Sequence, residues 1–192
     1  MSQHRLSEYR DLQPSLAVPD DYRCFDLDPG FTEPLCDRAA AKTELFEQYG
    51  LAGGIEDQLL RFCQTSVEEL AARGDPAAGT VASSCDSPVR RPGTIVGVMG
   101  HMHTLGPSFR MTLHPGTPGE KVLLDIPNWN FDWQLNDDLV TPIRVAAGDT
   151  IRISCTLDRS RDPTRPPRYI MFAEGTEDEM CFAAYGIIAD PK

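Results

Sequence analysis

Short strand-like runs separated by turn residues fill the sequence from Thr94 onward, and this pattern restricts the fold more than any other feature. Eight such runs occur, and Pro and Gly residues separate them. The clearest is TIRISCTL, residues 150–157, in which every second residue is apolar and Cys155 is one of the apolar set. Because successive side chains of a strand point to opposite faces, this run should turn Cys155 toward a core. The pattern predicts a mainly β fold, an antiparallel β-sandwich of the jelly-roll type.

Helical patterning precedes the strand-like runs. Residues 37–73 have a helix-like composition on both sides of a Gly-Gly break, and in the second stretch apolar side chains recur at spacings near 3.6, which predicts an amphipathic helix pair. Residues 1–36 are polar and contain several prolines, so little regular structure is expected there, and residues 74–93 are typical of a small-residue linker. We therefore expect an N-terminal lead-in and α-helical appendage over 1–84 and a β domain over 85–192.

The charge balance limits the class of partner. The chain carries 18 Lys and Arg against 29 Asp and Glu, a net charge of −11. Such an acidic protein is repelled by phosphate backbones and anionic lipid, so neither nucleic acid nor a membrane surface is expected as a partner. No apolar run approaches the roughly 18 residues that a membrane span requires. The composition therefore excludes these two partner classes, and the small-molecule substrate that we expect follows from the pocket and the resemblance described below.

The six cysteines bear on the cellular compartment. None forms a C-x-x-C pair, so zinc-ribbon and thioredoxin-type sites lack their spacing. Three disulfides are the simpler interpretation, and they favour a secreted or extracytoplasmic protein. The first residues contain no apolar leader, so secretion requires a leader outside these 192 residues. The alternative is a cytoplasmic protein whose thiols are free.

Strand alternation links one cysteine pair. If residues 178–188 form a strand, Met180 and Cys181 point to opposite faces, and Cys181 can reach the core-facing Cys155. The other four cysteines allow three connectivities. Of these, the sequence-local pairing is favoured, and it joins Cys63 to Cys85 and Cys24 to Cys36.

His101 and His103 form a His-x-His pair at the end of a strand-like run. Residues two apart on a strand share a face, so the two imidazoles can share one metal ion. By itself the pair is equally compatible with two partly exposed strand histidines. Met180, likewise, is by spacing alone more typical of a residue that fills a core.

Four segments together carry a resemblance to a known family. The segments GHMHTLG, DIPNWNFDWQ, GDTIRISCTL and EGTEDEMC, in this order, resemble the second copper domain of the copper type II, ascorbate-dependent monooxygenases. That family includes peptidylglycine α-hydroxylating monooxygenase and dopamine β-monooxygenase, and the resemblance covers about residues 85–188. It implies a jelly-roll β-sandwich with one oxygen-activating copper held by His101, His103 and Met180. In that family a disulfide joins a cysteine in the preceding strand to the cysteine of the EMC motif, which is residues 179–181 here. The resemblance therefore agrees with a bridge between Cys155 and Cys181.

Copper suits this ligand set. Two imidazoles and a soft thioether favour copper, above all Cu(I), and three protein ligands leave a coordination position open for oxygen or water. Zinc rarely accepts methionine, and a closed structural zinc site needs a fourth protein ligand.

The sequence also departs from the family. The other copper domain of these enzymes needs three histidines, and only His4 and His114 remain here. An external reductant such as ascorbate, or a separate electron-donor or copper-donor protein, is therefore expected. The positions that hold a peptide substrate in the family are occupied here by Met99, Phe182 and Ala184. We expect instead an apolar pocket lined by Met99 and Phe182, with Glu174 as a polar contributor.

The leading hypothesis is a mononuclear copper protein, an oxygenase or oxidase that acts on an apolar small molecule with an external reductant. One alternative is a copper-binding or delivery module without turnover. Another is a metal-free β-sandwich module that binds glycan or lipid on a shared face of Trp129, Phe131 and Trp133. A further alternative is a non-oxidative enzyme of a natural-product pathway.

Overall fold

The computed structural model describes most of the chain, and the fold is mainly β with a short helical segment. The described residues are 8–12, 18–19, 36–50, 55–73, 79–164, 168–176 and 178–191. Among them the strands are β1 (Glu8–Leu12), β2 (Val18–Pro19), β3 (Thr80–Pro88), β4 (Gly93–Met102), β5 (Ser108–Leu113), β6 (Lys121–Ile126), β7 (Asn136–Val145), β8 (Thr150–Asp158), β9 (Tyr169–Ile170) and β10 (Cys181–Ala189). The helices are α1 (Arg38–Tyr49), α2 (Glu56–Phe62) and α3 (Val67–Ala71), and a 3₁₀ helix spans Arg159–Arg161.

The strands form two four-stranded antiparallel sheets. One has the order β1-β10-β4-β7 and the other the order β3-β8-β5-β6, while β2 and β9 form a small two-stranded ladder. The expectation of a mainly β fold with antiparallel strands and a helical segment is confirmed.

The main core lies between the two sheets. In β8 the apolar residues of the alternating run are each at most 2% exposed, as predicted, and Cys155 is among them. Gly100 of β4 lies against the ring of Phe109 in β5, and a Cβ at Gly100 would come within 2.7 Å of that ring. A glycine at this position therefore lets the two sheets approach each other.

Two of the predicted disulfides are present. Cys155 of β8 is bonded to Cys181 of β10, with 6.0 Å between the Cα atoms, so this bridge joins the two sheets. Cys63, at the end of α2, is bonded to Cys85 of β3, with a Cα separation of 5.0 Å. Cys36 is also disulfide-bonded. The predicted bridge between Cys36 and Cys24 lies in part outside the described residues.

Ion pairs connect helices α1 and α2. Asp57 of α2 accepts hydrogen bonds from Arg38 at 2.8 Å and from Lys42 at 2.5 Å, both on α1. These two bonds hold the pKa of Asp57 at about 2. Farther along, α3 begins with a capping box formed by Ser66 and Glu69.

The helical segment also joins the main core. Leu70 of α3 is 1% exposed and belongs to the cluster that fills the space between the sheets. No helix in the described part of the chain is both long and apolar enough to cross a membrane.

Three segments differ from the sequence-based expectation. Strand β3 lies within residues 74–93, where a linker was expected, so the division between residues 84 and 85 falls inside a strand. Its inward positions include the small residues Ser83 and Ser87, which hide the apolar alternation of a buried strand face. Strands β1 and β2 lie within the stretch expected to have little regular structure. Residues 129–134, expected to be a strand, form a loop.

Candidate metal site

The two histidines of the predicted pair lie at the end of β4. Met102 is buried in the core and a Cβ at Gly100 would point to the same side, so His101 between them points to the opposite face of the sheet. His103 follows the last residue of the strand and is 4% exposed. The centroids of the two imidazole rings are 5.1 Å apart, with the ring planes at 83°. The structure therefore brings these two predicted ligands together.

The tautomer of His103 is set by a backbone carbonyl. Its Nδ1 lies 3.0 Å from the carbonyl oxygen of Asp178. A carbonyl can only accept, so Nδ1 carries the hydrogen and Nε2 presents a lone pair. Burial lowers the pKa of His103, while the bond to the Asp178 carbonyl opposes this effect. Burial therefore favours the neutral imidazole, the form that binds a metal ion.

The tautomer of His101 is set by a side chain that sequence reasoning missed. Its Nδ1 lies 2.5 Å from Oε1 of Gln134. The Gln134 amide is oriented by its own Nε2, which donates to the Phe131 carbonyl at 2.7 Å. Nδ1 of His101 is therefore the donor, and its Nε2 also presents a lone pair. No local pattern in the sequence indicates this contact, because it joins residues 33 positions apart.

A buried carboxylate fixes the turn that carries His103. Glu179 is 0% exposed. Its Oε2 accepts the backbone N–H of His103 at 3.2 Å, and its Oε1 accepts the backbone N–H of Leu105 at 2.7 Å. Glu179 belongs to the EMC motif, which singled out Met180 and Cys181 but gave Glu179 no role. Its position directly before Met180 is the sequence signal that could have identified it.

The helical segment reaches this region through Tyr49 of α1. The Tyr49 hydroxyl donates to Oδ2 of Asp178 at 2.8 Å. Burial, followed by the bond to Asp178, raises the pKa of Tyr49 to about 12. Because the carbonyl of the same Asp178 orients His103, α1 and the histidine pair are connected through one residue.

Met180 lies at the same end of the β4–β10 pair as His103. Cys181 pairs with Met102 in the antiparallel ladder, so the residues just beyond them are Met180 on one strand and His103 on the other. Met180 is 9% exposed and packs in an apolar cluster with Leu59 and Phe172. Its packing accounts for its burial, and its role as a metal ligand stays a prediction.

Two of the three predicted pocket residues adjoin His101. Phe182 is its ladder partner in β10, and the two rings are 6.3 Å apart. Met99 lies two residues before His101 on the same face of β4 and is half-buried. Glu174 is exposed on the bend that follows β9.

The three aromatic residues of the 129–134 loop do not share one face, contrary to expectation. Trp129 is 3% exposed and packs near Phe109 in the core, with 6.4 Å between ring centroids. Phe131 lies edge-on to His103 at 5.8 Å. Trp133 is 73% exposed. Side chains two residues apart share a face only in a strand. Residues 129–134 form a loop, so the three rings point in different directions.

No protein-family model matches the chain, and no curated protein matches it in sequence. Whether these residues fit a metal ion is therefore judged from the donor atoms that they present. Two imidazoles whose Nδ1 atoms are already engaged, and whose Nε2 atoms carry lone pairs, fit a metal site.

Proposed function

We propose that this protein is a mononuclear copper protein in which His101, His103 and Met180 hold the ion. The observation that carries the proposal is that both imidazoles are held through Nδ1, which leaves Nε2 of each ring with its lone pair, and that the two ring centroids are 5.1 Å apart. Two nitrogen donors and a thioether select copper over zinc, and Cu(I) in particular. The proposal agrees with the resemblance to the second copper domain of the ascorbate-dependent monooxygenases.

The activity proposed is that of an oxygenase or oxidase acting on an apolar small molecule. Copper held by three protein ligands would supply one-electron redox chemistry with a coordination position open to oxygen. Gln134 and the Asp178 carbonyl would keep the two imidazoles in the binding tautomer and orientation. Met99 and Phe182, half-buried beside His101, would offer an apolar wall to the substrate. An external reductant such as ascorbate, or a separate electron-donor protein, would return the electrons.

The proposal extends to the jelly-roll topology and to the compartment. The strand orders support a jelly roll in which β2 and β9 would be additions, because consecutive strands along the chain cross between the sheets at β3–β4, β4–β5, β6–β7 and β7–β8. The two disulfides favour a secreted or extracytoplasmic protein.

Metal analysis tests the copper proposal. The purified protein is loaded with copper, passed through a desalting column and assayed for metal, and about one copper per chain is expected. His101→Ala should lose bound copper. Met180→Ala should weaken Cu(I) more than Cu(II), because a thioether is a soft ligand, and should remove the copper–sulfur signal from X-ray absorption. His114→Ala is the matched control, since His114 is partly exposed and lies beside Asp149 on another part of the fold. Unchanged copper content in the first two variants would overturn the proposal.

Turnover separates an oxygenase from a copper carrier. Oxygen consumption with ascorbate should exceed that of the same concentration of free copper, whereas a carrier should add nothing. Gln134→Leu keeps the approximate size of the side chain and removes the acceptor of His101. Loss of an orienting partner of this kind costs about 10–100-fold in metal affinity or activity. An unchanged affinity in Gln134→Leu would show that the tautomer of His101 does not matter for binding.

A further inference from the structure

A cavity lies beside strand β4. It has a volume of about 280 Å³, and the end of β6, the 127–135 loop and the start of β7 line it. Gly100 forms part of its wall. Asp137 pairs with Val98 in the β4–β7 ladder, and Val98 is buried in the core, so Asp137 lies on the core side of β4, opposite to the side chain of His101. The volume is just below the roughly 300 Å³ at which pockets for drug-sized ligands begin, so a small molecule or one unit of a chain would fit.

The rim of this cavity is apolar and exposed. Trp133 is 73% exposed and Leu135 is 54% exposed, and both line the cavity together with Ile126. An exposed indole beside a cavity offers a flat, electron-rich face against which the C–H bonds of a saturated ring can pack. A ligand that covered Trp133 would remove this apolar surface from water.

The polar groups of the cavity include both hydrogen-bond donors and acceptors. Asn130 uses its Oδ1 to accept the backbone N–H of Asp132 at 2.9 Å, which leaves its amide hydrogens for another partner. The side-chain amide of Asn128 also lines the cavity and can both donate and accept. The carboxylate of Asp137 lines it too, and it has no hydrogen bond or ion pair with any residue in the described ranges. Trp129 lines the same cavity, and its buried indole N–H has no hydrogen-bond partner among the described residues.

The polar groups that line the cavity determine whether a charged or a neutral ligand can bind there. No basic residue lines the cavity in the described part of the chain, and Asp137 would repel an anion. A cation would satisfy Asp137 but would leave the amide hydrogens of the asparagines without acceptors. A hydroxyl group both donates and accepts, so it can meet the carboxylate and the amides at once.

We propose that this cavity binds a neutral polyhydroxylated ring, the chemical class of a monosaccharide or of one sugar unit in a glycan. The ring packs on the indole of Trp133, and its hydroxyl groups donate to Asp137 and accept from Asn128 and Asn130. The site does not use the proposed copper ligands, because none of His101, His103 and Met180 lines the cavity.

Fluorescence titration and calorimetry test the proposal on the full chain. The probes are methyl glycosides of glucose, galactose, mannose, xylose and N-acetylglucosamine, with short oligosaccharides of each. Saturable quenching by at least one probe is expected. A free-sugar site binds the methyl glycoside as tightly as the oligosaccharide, whereas a glycan site binds the oligosaccharide more tightly. The affinity should be the same with and without a chelator, which separates this site from the copper proposal.

Variants assign the binding to the cavity. Trp133→Ala should weaken binding about fivefold, the effect of one aromatic packing interaction, whereas Trp133→Phe should keep most of the affinity. Asp137→Leu should weaken binding at least as much. Val140→Ala is the control, because Val140 is fully exposed on β7 and does not line the cavity. The proposal is overturned if none of the sugars binds, if Trp133→Ala and Asp137→Leu bind normally, or if benzyltrimethylammonium binds and the sugars do not.

Discussion

Replacing Glu179 by glutamine should destabilise the protein although the side chain keeps its size. Both carboxylate oxygens accept backbone N–H groups, one from His103 and one from Leu105, and Glu179 is 0% exposed. Glutamine has a single oxygen, so its NH₂ group must face one of the two N–H donors. A hydrogen bond to a charged acceptor contributes about 1.5–3 kcal/mol, and the remaining N–H would be buried without an acceptor. We expect a loss of about 2 kcal/mol in the free energy of unfolding.

Urea denaturation measures this loss directly. In a domain of this size, 2 kcal/mol corresponds to a fall of about 4–8 °C in melting temperature. Asp125→Asn is the matched control, because Asp125 is 46% exposed and pairs with Arg110 at the surface, where such a pair contributes about 0–1 kcal/mol. A stability of Glu179→Gln within about 0.5 kcal/mol of the parent protein would refute the reasoning, since it would mean that the two N–H groups find other partners.

The carboxylate should also matter to the proposed copper site. Glu179 accepts the backbone N–H of His103 and so holds the backbone at this residue. A displaced backbone moves the ring, so copper affinity should fall about tenfold in Glu179→Gln, the lower end of the effect expected for an outer-shell partner. Stability that falls while copper affinity is unchanged would limit Glu179 to a folding role.

Three further perturbations test the fold. Gly100→Ala places a methyl group 2.7 Å from the ring of the core phenylalanine in β5 and should cost about 1–3 kcal/mol in unfolding free energy, whereas Gly119→Ala, with its nearest neighbouring atom at 3.7 Å, should be neutral. Replacing Cys63 and Cys85 together by serine opens a loop closed by residues 22 positions apart and should cost about 3 kcal/mol in denaturant titration; a loss below about 1 kcal/mol would contradict this. Asp57→Asn should cost about 0.5 kcal/mol at pH 6, because Asp57 is 43% exposed and solvent screens its pairs. Since the pKa of Asp57 is lowered from 3.8 to about 2, this difference should be full above pH 4 and should shrink as the pH falls toward 2, and a difference independent of pH would contradict the assignment.

Regular alternation in the sequence predicted the strands in which the inward residues are large. The run around Cys155 became β8 with its predicted face inward, and the same alternation predicted the bridge to Cys181. β3 was missed because an edge strand can bury small residues such as Ser83, whose polarity conceals the pattern. Alternation therefore predicts a strand when its buried face is large and apolar, and fails when the buried face is small.

The loop that carries Trp129 and Trp133 shows the opposite error. Its aromatic residues alternate with polar ones, as in a strand, but the chain turns there and the alternation has no structural meaning. One ring packs in the core, one lies against His103 and one is exposed. Gln134, in the same loop, could not have been predicted, because its contact with His101 depends on how the loop folds back onto β4.

The histidine pair is held in place from three separate parts of the chain. Gln134 belongs to the loop before β7, Asp178 and Glu179 to the segment before β10, and Tyr49 to α1. Each of these contacts is made by protein groups alone, so the orientation of the imidazoles follows from folding. The proposed copper site would differ in this respect from a zinc finger, in which the metal supplies the folding energy and the ligands are unordered without it. Copper binding to the proposed ligands would therefore cost little reorganisation, and the position that the ligands leave open would be set by the fold.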